Sequence, residues 1–492
     1  MSTPFKSLQG VDVSTQVRTI DIFPTLCEAA GIPVPKEVQG KSLWPVVAQG
    51  GKGDDLPAYS ESLTPSLQYG WSPLFSLRSA GYQYIDAPRA ELYDLKNDPG
   101  EQINLNATSP LSAQKMEKAL HEIIATSSTG APVPVAADLD KETIERLASL
   151  GYVGAPLPQP SPSNSGKGLI DPKDMFDVYD SIQKAGELNN SEQYVQAAGI
   201  LESVIKIDPE NPQARLQLAA AYVELNRPAE AQEHLDHILK RDPNNIHALI
   251  CLANILQKQG RPDDVIGLCE KAIQVDQRNT QAYSLIGESY MDENKFDQAL
   301  PSLEKALAIQ PKLTQNRLNL AACLIGLKQY SRAESMLDEL IKESPKFPLA
   351  HFHLGLLFEE QGEMQKASQA YQDEITLYGN SYRARFNLGR LLLSQGNLQG
   401  YLDQMKEVVR IAPQNPLGRL FLARGLLRKG IDNDDVLDMV RQGLSFARTT
   451  EQKALGYFLL ADLYNRRNQP QIAREALEKA DAFKSQLTGR TQ

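Results

Sequence analysis

An apolar residue followed by glycine or alanine returns every thirty-four residues along the last two-thirds of the chain. The pairs are Leu218-Ala219, Leu252-Ala253, Ile286-Gly287, Leu320-Ala321, Leu354-Gly355, Leu388-Gly389 and Leu422-Ala423, with Leu460-Ala461 after a slip of four. A period of this length belongs to a stacked array of small units, not to one globular core. Within the unit from Thr280 to Leu313, apolar or small residues fall at Tyr283, Ile286, Gly287, Tyr290, Ala299, Leu303 and Ala306, and these steps of three and four predict two amphipathic helices. Gly287 and Ala299 lack bulk, so the two helix axes can approach to roughly 8–10 Å while Tyr290 and Leu303 fill the space around the contact. Between the helices one position reads Asn226, Gly260, Asn294, Lys328, Gly362, Gly396, Gly430 and Asn468. Glycine and asparagine tolerate a left-handed helix end, and Lys328 departs from that rule. Pro209, Pro243, Pro311, Pro345 and Pro413 stop the second helix, since proline has no amide hydrogen to continue it; Gln277 and Gly379 take that place twice. Two further positions break the pattern: Tyr401 stands where alanine recurs, and extra residues between Leu422 and Leu460 lengthen a helix or its turn.

The first third has a different texture. Arg18 to Ala30 has helical apolar spacing and ends at Gly31, and Ser42 to Val47 predicts a second, short helix. Leu74 to Ser79, Tyr82 to Asp86 and Glu91 to Leu95 are short, partly aromatic or β-branched, and separated by Ala80-Gly81 and Ala87-Pro88-Arg89, which predicts strands joined by tight turns. Helices are expected over Ala113 to Ala125 and Lys141 to Leu150. Between Ala155 and Gly168, Pro156, Pro158, Pro160 and Pro162 alternate with serine, asparagine and glycine, a linker composition that leaves the flanking parts free to move unless their surfaces dock. The chain therefore divides into a head over 1–154, a linker over 155–170 and a helical array over 171–492.

Composition narrows the function classes. A length of 492 residues exceeds one ordinary core, and a net charge of −10 argues against a general phosphate-binding surface, so nucleic acid is not an expected partner. Cys27, Cys251, Cys269 and Cys323 are few for this length and lie in helical segments, which suits buried thiols better than a disulfide framework. No run reaches the roughly twenty apolar residues of a membrane helix, and no apolar secretion core follows Met1. As written, the chain is expected in the cytosol; a longer protein with an upstream signal peptide would be periplasmic or extracellular.

The repeat offsets resemble the tetratricopeptide repeat, over Val178 to about Gln486. The resemblance implies a mostly α-helical superhelix of about nine helical hairpins, with the first helix of each pair lining a concave face and the second forming the outer wall. It also implies binding of a protein or peptide rather than chemistry.

In the head, Val17-Arg18-Thr19-Ile20-Asp21-Ile22-Phe23-Pro24-Thr25-Leu26, then Gly40-Lys41-Ser42-Leu43-Trp44-Pro45, then Arg78 through Tyr84 running into Glu91-Leu92-Tyr93-Asp94-Leu95-Lys96-Asn97-Asp98-Pro99-Gly100-Glu101, resemble the C-terminal end of sulfatases, members of the alkaline-phosphatase-like superfamily. The resemblance implies a small α+β segment with an antiparallel sheet. Its family acts through a metal-bound formylglycine made in a Cys/Ser-x-Pro-x-Arg motif, and no such motif occurs in this chain. Cys27 is followed by Glu-Ala-Ala-Gly, and Ser72-Pro73 lacks both spacing and arginine. The expectation is a chain without a catalytic residue, metal or cofactor of its own, with Met1 starting inside a longer gene or after a deletion. Tyr59, Glu61, Tyr69 and Trp71 suit either the rim of a substrate pocket in a complete enzyme or, more commonly for aromatic residues beside strands, the core. The head, cut from a larger sheet, is expected to expose the apolar face of Ile22, Phe23 and Leu26 and to be less stable than the array.

One position on the first helices reads Gln217, Cys251, Leu285, Asn319, His353 and Asn387, so its last three members form a polar ladder. An amide both donates and accepts, which lets it hold a peptide backbone without reading side chains; bonding to neighbours or to water is the plainer alternative. Arg383 and Arg390 fall on the same face as Asn387 and suit an acidic side chain or a C-terminal carboxylate. The candidate peptide-binding residues are therefore Asn319, His353, Asn387, Arg383 and Arg390, and an acidic peptide is the favoured partner. His351 and His353 point to different sides of a helix, and His234 with His237 lack a third ligand, so neither pair suits a metal. Two functions follow: an interaction scaffold carrying a catalytically incomplete sulfatase tail, or the C-terminal part of a metal-dependent sulfatase or phosphohydrolase whose catalytic half lies elsewhere.

Overall fold

The structure, a computed structural model, describes residues 13, 15–36, 38–51, 53, 55–128 and 168–488; the helix expected at Lys141 to Leu150 and most of the proline-rich linker lie outside the described residues. The chain divides into two compact units, one to Ile255 and one from Leu256.

In the first unit, a 3-10 turn (Thr19–Asp21) leads into α1 (Ile22–Ala29), and Gly31 follows with φ +69°. Helix α2 (Trp44–Ala48) begins two residues later than its apolar spacing suggests. Four antiparallel strands pair in sequence order: β1 (Ala58–Ser62), β2 (Leu74–Ser79), β3 (Tyr82–Asp86) and β4 (Glu91–Asp94). Strand β1 and helix α3 (Thr64–Tyr69) are additions to the sequence reading, because neither carries a clear apolar period. Their register sets Tyr59, Leu77, Tyr84 and Leu92 in one row across the sheet. Helix α4 (Pro110–Ser128) packs Ala113, Met116 and Leu120 against that row, which closes the small core of the head. Ile22, Phe23 and Leu26 remain 43 %, 53 % and 53 % exposed, so α1 presents an apolar face to the outside.

The helical part begins with α5 (Phe176–Asn190) and α6 (Tyr194–Ile207), then α7 (Pro212–Glu224) and α8 (Pro228–Arg241); the unit boundary falls inside α9 (Ile246–Lys258). The second unit continues with α10 (Pro262–Val275), α11 (Thr280–Asp292), α12 (Phe296–Ile309), α13 (Thr314–Gly326), α14 (Tyr330–Glu343), α15 (Ala350–Glu360), α16 (Met364–Leu377), α17 (Tyr382–Ser394), α18 (Leu398–Ile411), α19 (Pro416–Arg428), α20 (Asp434–Phe446), α21 (Thr450–Arg466) and α22 (Pro470–Thr488). The described helices thus form nine successive pairs, and the fold class is the mostly helical repeat array with a small antiparallel sheet that the sequence predicts.

The small residues do what the packing argument requires. A Cβ added at Gly287 would stand 2.5 Å from Leu303 Cγ, and one at Gly355 would stand 2.5 Å from Tyr371 Cε1, so both glycines are notches that a partner side chain fills. Tyr371 and Leu303 are fully buried there.

Candidate functional site

In the second unit the first helices of successive pairs touch one another at α11/α13, α13/α15 and α19/α21, which aligns their side chains along one face. The ladder positions lie on this face, and the side chains of its two asparagines are held by neighbours. Asn319 gives one amide hydrogen to Glu288 Oε1 at 2.5 Å and accepts from Gln315 Nε2 at 2.9 Å. Asn387, 9 % exposed, donates to Tyr371 Oη at 3.4 Å and accepts from Arg390 Nη1 at 3.4 Å. An amide carries two hydrogens and two acceptor lone pairs, so each asparagine is oriented and still keeps one N–H and part of its oxygen unclaimed. His353 buries Nδ1 without a hydrogen-bond partner, and burial together with nearby Arg383 brings its pKa down to about 4. The ring is therefore neutral at neutral pH.

The two arginines differ. Arg390 is tied to Glu359 Oε1 at 3.2 Å, whereas Arg383 is exposed and has no acidic partner among the described residues. Arg383 stands at a cavity of about 240 Å³ lined also by Phe352, Tyr382, Phe386, Asn387 and Leu417. The structure therefore brings Arg383 and Asn387 to one cavity, while Asn319 belongs to a network around Glu288 two repeats earlier. In that network burial raises the pKa of Glu288, partly offset by the Asn319 hydrogen bond, and burial also raises that of Asp292, which accepts from Gln257 Nε2 at 2.7 Å.

Two features of this face escape sequence reasoning. Glu288 occupies the same repeat position as Arg390 and Arg424, so the face changes sign along its length, and a comparison of residues thirty-four apart would have exposed that. A second cavity, of about 570 Å³, opens between α19 and α21, lined by Arg424, Arg428, Phe458, Leu459 and Arg466 among others. The Arg424 and Arg428 pair, four apart on α19, is its sequence signal.

The head contributes a joint rather than a pocket rim. Tyr69 and Trp71 stack with ring centroids 4.7 Å apart and are each 3 % exposed. Trp71 Nε1 donates to Asp208 Oδ2 at 2.7 Å, Gln183 Nε2 donates to Tyr69 Oη at 3.0 Å, and the Tyr69 ring meets Tyr179 edge-on. Arg89 pairs with Asp174, and Lys173 pairs with Glu91 at 3.0 Å. Head and first repeats are thus docked through buried aromatic rings and ion pairs. Tyr59 and Glu61, by contrast, bond to each other at 2.5 Å on an exposed part of β1. Among the described residues no three His, Cys, Asp or Glu side chains gather as metal ligands; His234 faces Arg215 and His237 faces Glu210.

Comparison with known proteins finds two families along the chain. Residues 1–129 match the family model described as N-sulphoglucosamine sulphohydrolase, C-terminal, and residues 190–255, 227–288, 290–354 and 349–381 match tetratricopeptide-repeat models. The chain joins a sulfatase C-terminal segment to a tetratricopeptide-repeat array. The sulfatase segment is 27 % identical over 138 residues to arylsulfatase K of Xenopus laevis, covering 26 % of this chain and 25 % of that protein. It is 37 % identical over 90 residues to a Δ4,5-hexuronate-2-O-sulfatase of Bacteroides thetaiotaomicron, covering 18 % of this chain and 19 % of the relative. The chain spans about a quarter or less of the length of these curated relatives. Among solved structures, yeast Tom70 matches with a TM-score of 0.48 at 16 % identity, over 78 % of this chain and 80 % of that one. The tetratricopeptide array supports a protein-interaction scaffold, and its expected partners are proteins. No helix among the described residues is long and apolar enough to cross a membrane.

Proposed function

We propose that the chain captures an extended peptide or partner segment along the first-helix face of its second unit, using Asn319, His353, Asn387, Arg383 and Arg390, and that its sulfatase segment performs no catalysis by itself. Arg383 carries this reading. It is an exposed cation without an acidic partner, set at a cavity beside an amide whose remaining N–H is free, and that combination suits a carboxylate on a peptide backbone. Arg390, already paired with Glu359, keeps Asn387 aligned and exchanges partners when an acidic ligand arrives. The lack of a Cys/Ser-x-Pro-x-Arg motif supports the non-catalytic reading of the head.

The test is a selection of displayed random peptides against the full chain, followed by anisotropy titration of the enriched peptides. Arg383→Gln and Asn387→Ala are expected to weaken the best peptide by about tenfold, the scale of one charge-assisted contact. Equal affinity for both variants and the parent chain removes this groove. The second reading, a C-terminal part of a larger sulfatase, is favoured by the exposed Ile22, Phe23 and Leu26 face together with the short span of the relatives that is matched. Under either reading the purified chain with added calcium is expected to hydrolyse no aryl sulfate, and turnover would overturn the non-catalytic role given to the segment.

A further inference from the structure

Resting on the peptide-capturing role above, we infer that the cavity between α19 and α21 is a second subsite, which takes a bulky apolar side chain with a carboxylate beside it. The cavity holds about 570 Å³, and Leu427, Leu455, Phe458, Leu459 and Leu477 supply its apolar lining. Phe458 is 56 % exposed, an unusual state for a phenylalanine on the inner helix of a repeat whose equivalent, Leu420, is fully buried. The rim is cationic. Arg424 and Arg428 project from one side of α19, both exposed, and neither has an acidic partner among the described residues.

The one carboxylate in the lining, Asp462, is already taken by Arg466 Nε at 3.0 Å, and Arg466 also donates to the Leu427 carbonyl at 3.0 Å. Three arginines against one aspartate leave two positive charges over an apolar floor, in a chain whose net charge is −10. Arg428 gains from the C-terminal end of α19, and the Arg424 guanidinium lies 6.0 Å from the Phe421 ring centroid, contacts that leave both charges without an acidic counterpart among the described residues. Charge complementarity therefore fixes the occupant as an acidic peptide segment with an adjacent large apolar residue. A nucleic acid gains little here: one exposed ring stacks a single base, and two free cations release too few counterions for useful affinity.

Isothermal titration calorimetry of the full chain with three unlabelled, N-acetylated hexapeptides tests this. The first, Gly-Ser-Asp-Glu-Phe-Gly-amide, offers side-chain carboxylates; the second, Gly-Ser-Gly-Gly-Asn-Phe, offers only its C-terminal carboxylate; the third, Gly-Ser-Asn-Gln-Phe-Gly-amide, is neutral. At least one carboxylate peptide is expected to bind about tenfold more tightly than the neutral one, and which of them does so identifies the source of the carboxylate. The double change Arg424→Gln with Arg428→Gln, at exposed positions that leave the core intact, should erase that preference, while Phe458→Ser should weaken all three peptides. If the preference survives the double change but falls with Arg383→Gln, the groove reading stands and this subsite is wrong. If both changes leave binding untouched, both are wrong. Absence of binding to any of the three peptides at about 1 mM, or their displacement by an oligouridylate decamer from a site that needs Arg424 and Arg428, also overturns the inference.

Discussion

Tyr401 shows how one out-of-pattern residue is accommodated. Alanine occupies its position in the preceding units at Ala299, Ala333 and Ala367, yet the tyrosine is fully buried. Its ring fills a notch left by Gly425, which stands where Leu391 and Leu357 stand in earlier repeats, and its hydroxyl donates to the Phe421 carbonyl. Bulk has moved from one helix to its neighbour with little change in total volume. Gly425→Ala is therefore expected to cost about 1–3 kcal/mol by overpacking against Tyr401, and adding Tyr401→Ala should recover part of it; chemical denaturation of the single and double variants reads the coupling. His353 gives a second prediction. An unfolded histidine takes its proton near 6.5, whereas burial and then Arg383 hold the folded ring to about 4, so the stability present above pH 6.5 is lost as pH falls toward 4. Between pH 7 and pH 5 the parent chain should lose about 1–2 kcal/mol more than His353→Gln. Parallel loss in the two proteins would show that His353 titrates normally.

At the scale of the helical pair, the sequence was legible because the period and the turn chemistry agree. All eight inter-helix positions are left-handed, from Asn468 at φ 55° to Gly430 at φ 85°, and Lys328, the departure, sits at φ 58° with the rest. The lysine thus accepts the turn instead of altering it, at a steric cost. Lys328→Gly is expected to raise stability by about 0.5 kcal/mol, since relief of the left-handed strain is partly cancelled by the entropy of glycine; a fall in the denaturation midpoint would contradict it. The slip before Leu460 is also readable in retrospect. Helix α21 has 17 residues against 13 in α19, and the four extra form one added turn at its start, after a capping box at Thr449. Entry into α15 was not legible. Asn211, Asn245, Asn279 and Asn415 cap their helices from one repeat position, where this repeat has Phe347. Here Leu349 turns left-handed, φ 68°, and its N–H is caught by the buried carboxylate of Glu374 at 3.0 Å. A cap supplied from the neighbouring helix leaves no local signal in the sequence.

For the molecule as a whole, the composition of the linker says only that head and array are separately built; it says nothing about whether their surfaces meet. The decisive bond, Trp71 to Asp208, spans 137 residues, so no local pattern could show that aromatic residues beside α3 are buried against the first repeats. Asp208 also accepts from Asn211, the residue that caps α7, so the same carboxylate serves the head and the start of a repeat helix. A repeat array ends in an unfilled hydrophobic edge, and terminal units need a cover to remain stable. In the first unit the sulfatase segment supplies part of that cover through Tyr69, Trp71 and the Arg89 and Lys173 ion pairs, which sets the stability of head and first repeats together. Trp71→Ala removes the ring and the hydrogen bond while leaving Asn211 on Asp208. Amide hydrogens of α5 and α7 are then expected to exchange about tenfold faster or more, with those of α17 and α19 unchanged. Exchange in α5 and α7 at the parent rate would mean that the array holds its first repeats unaided and that the head merely rests on them.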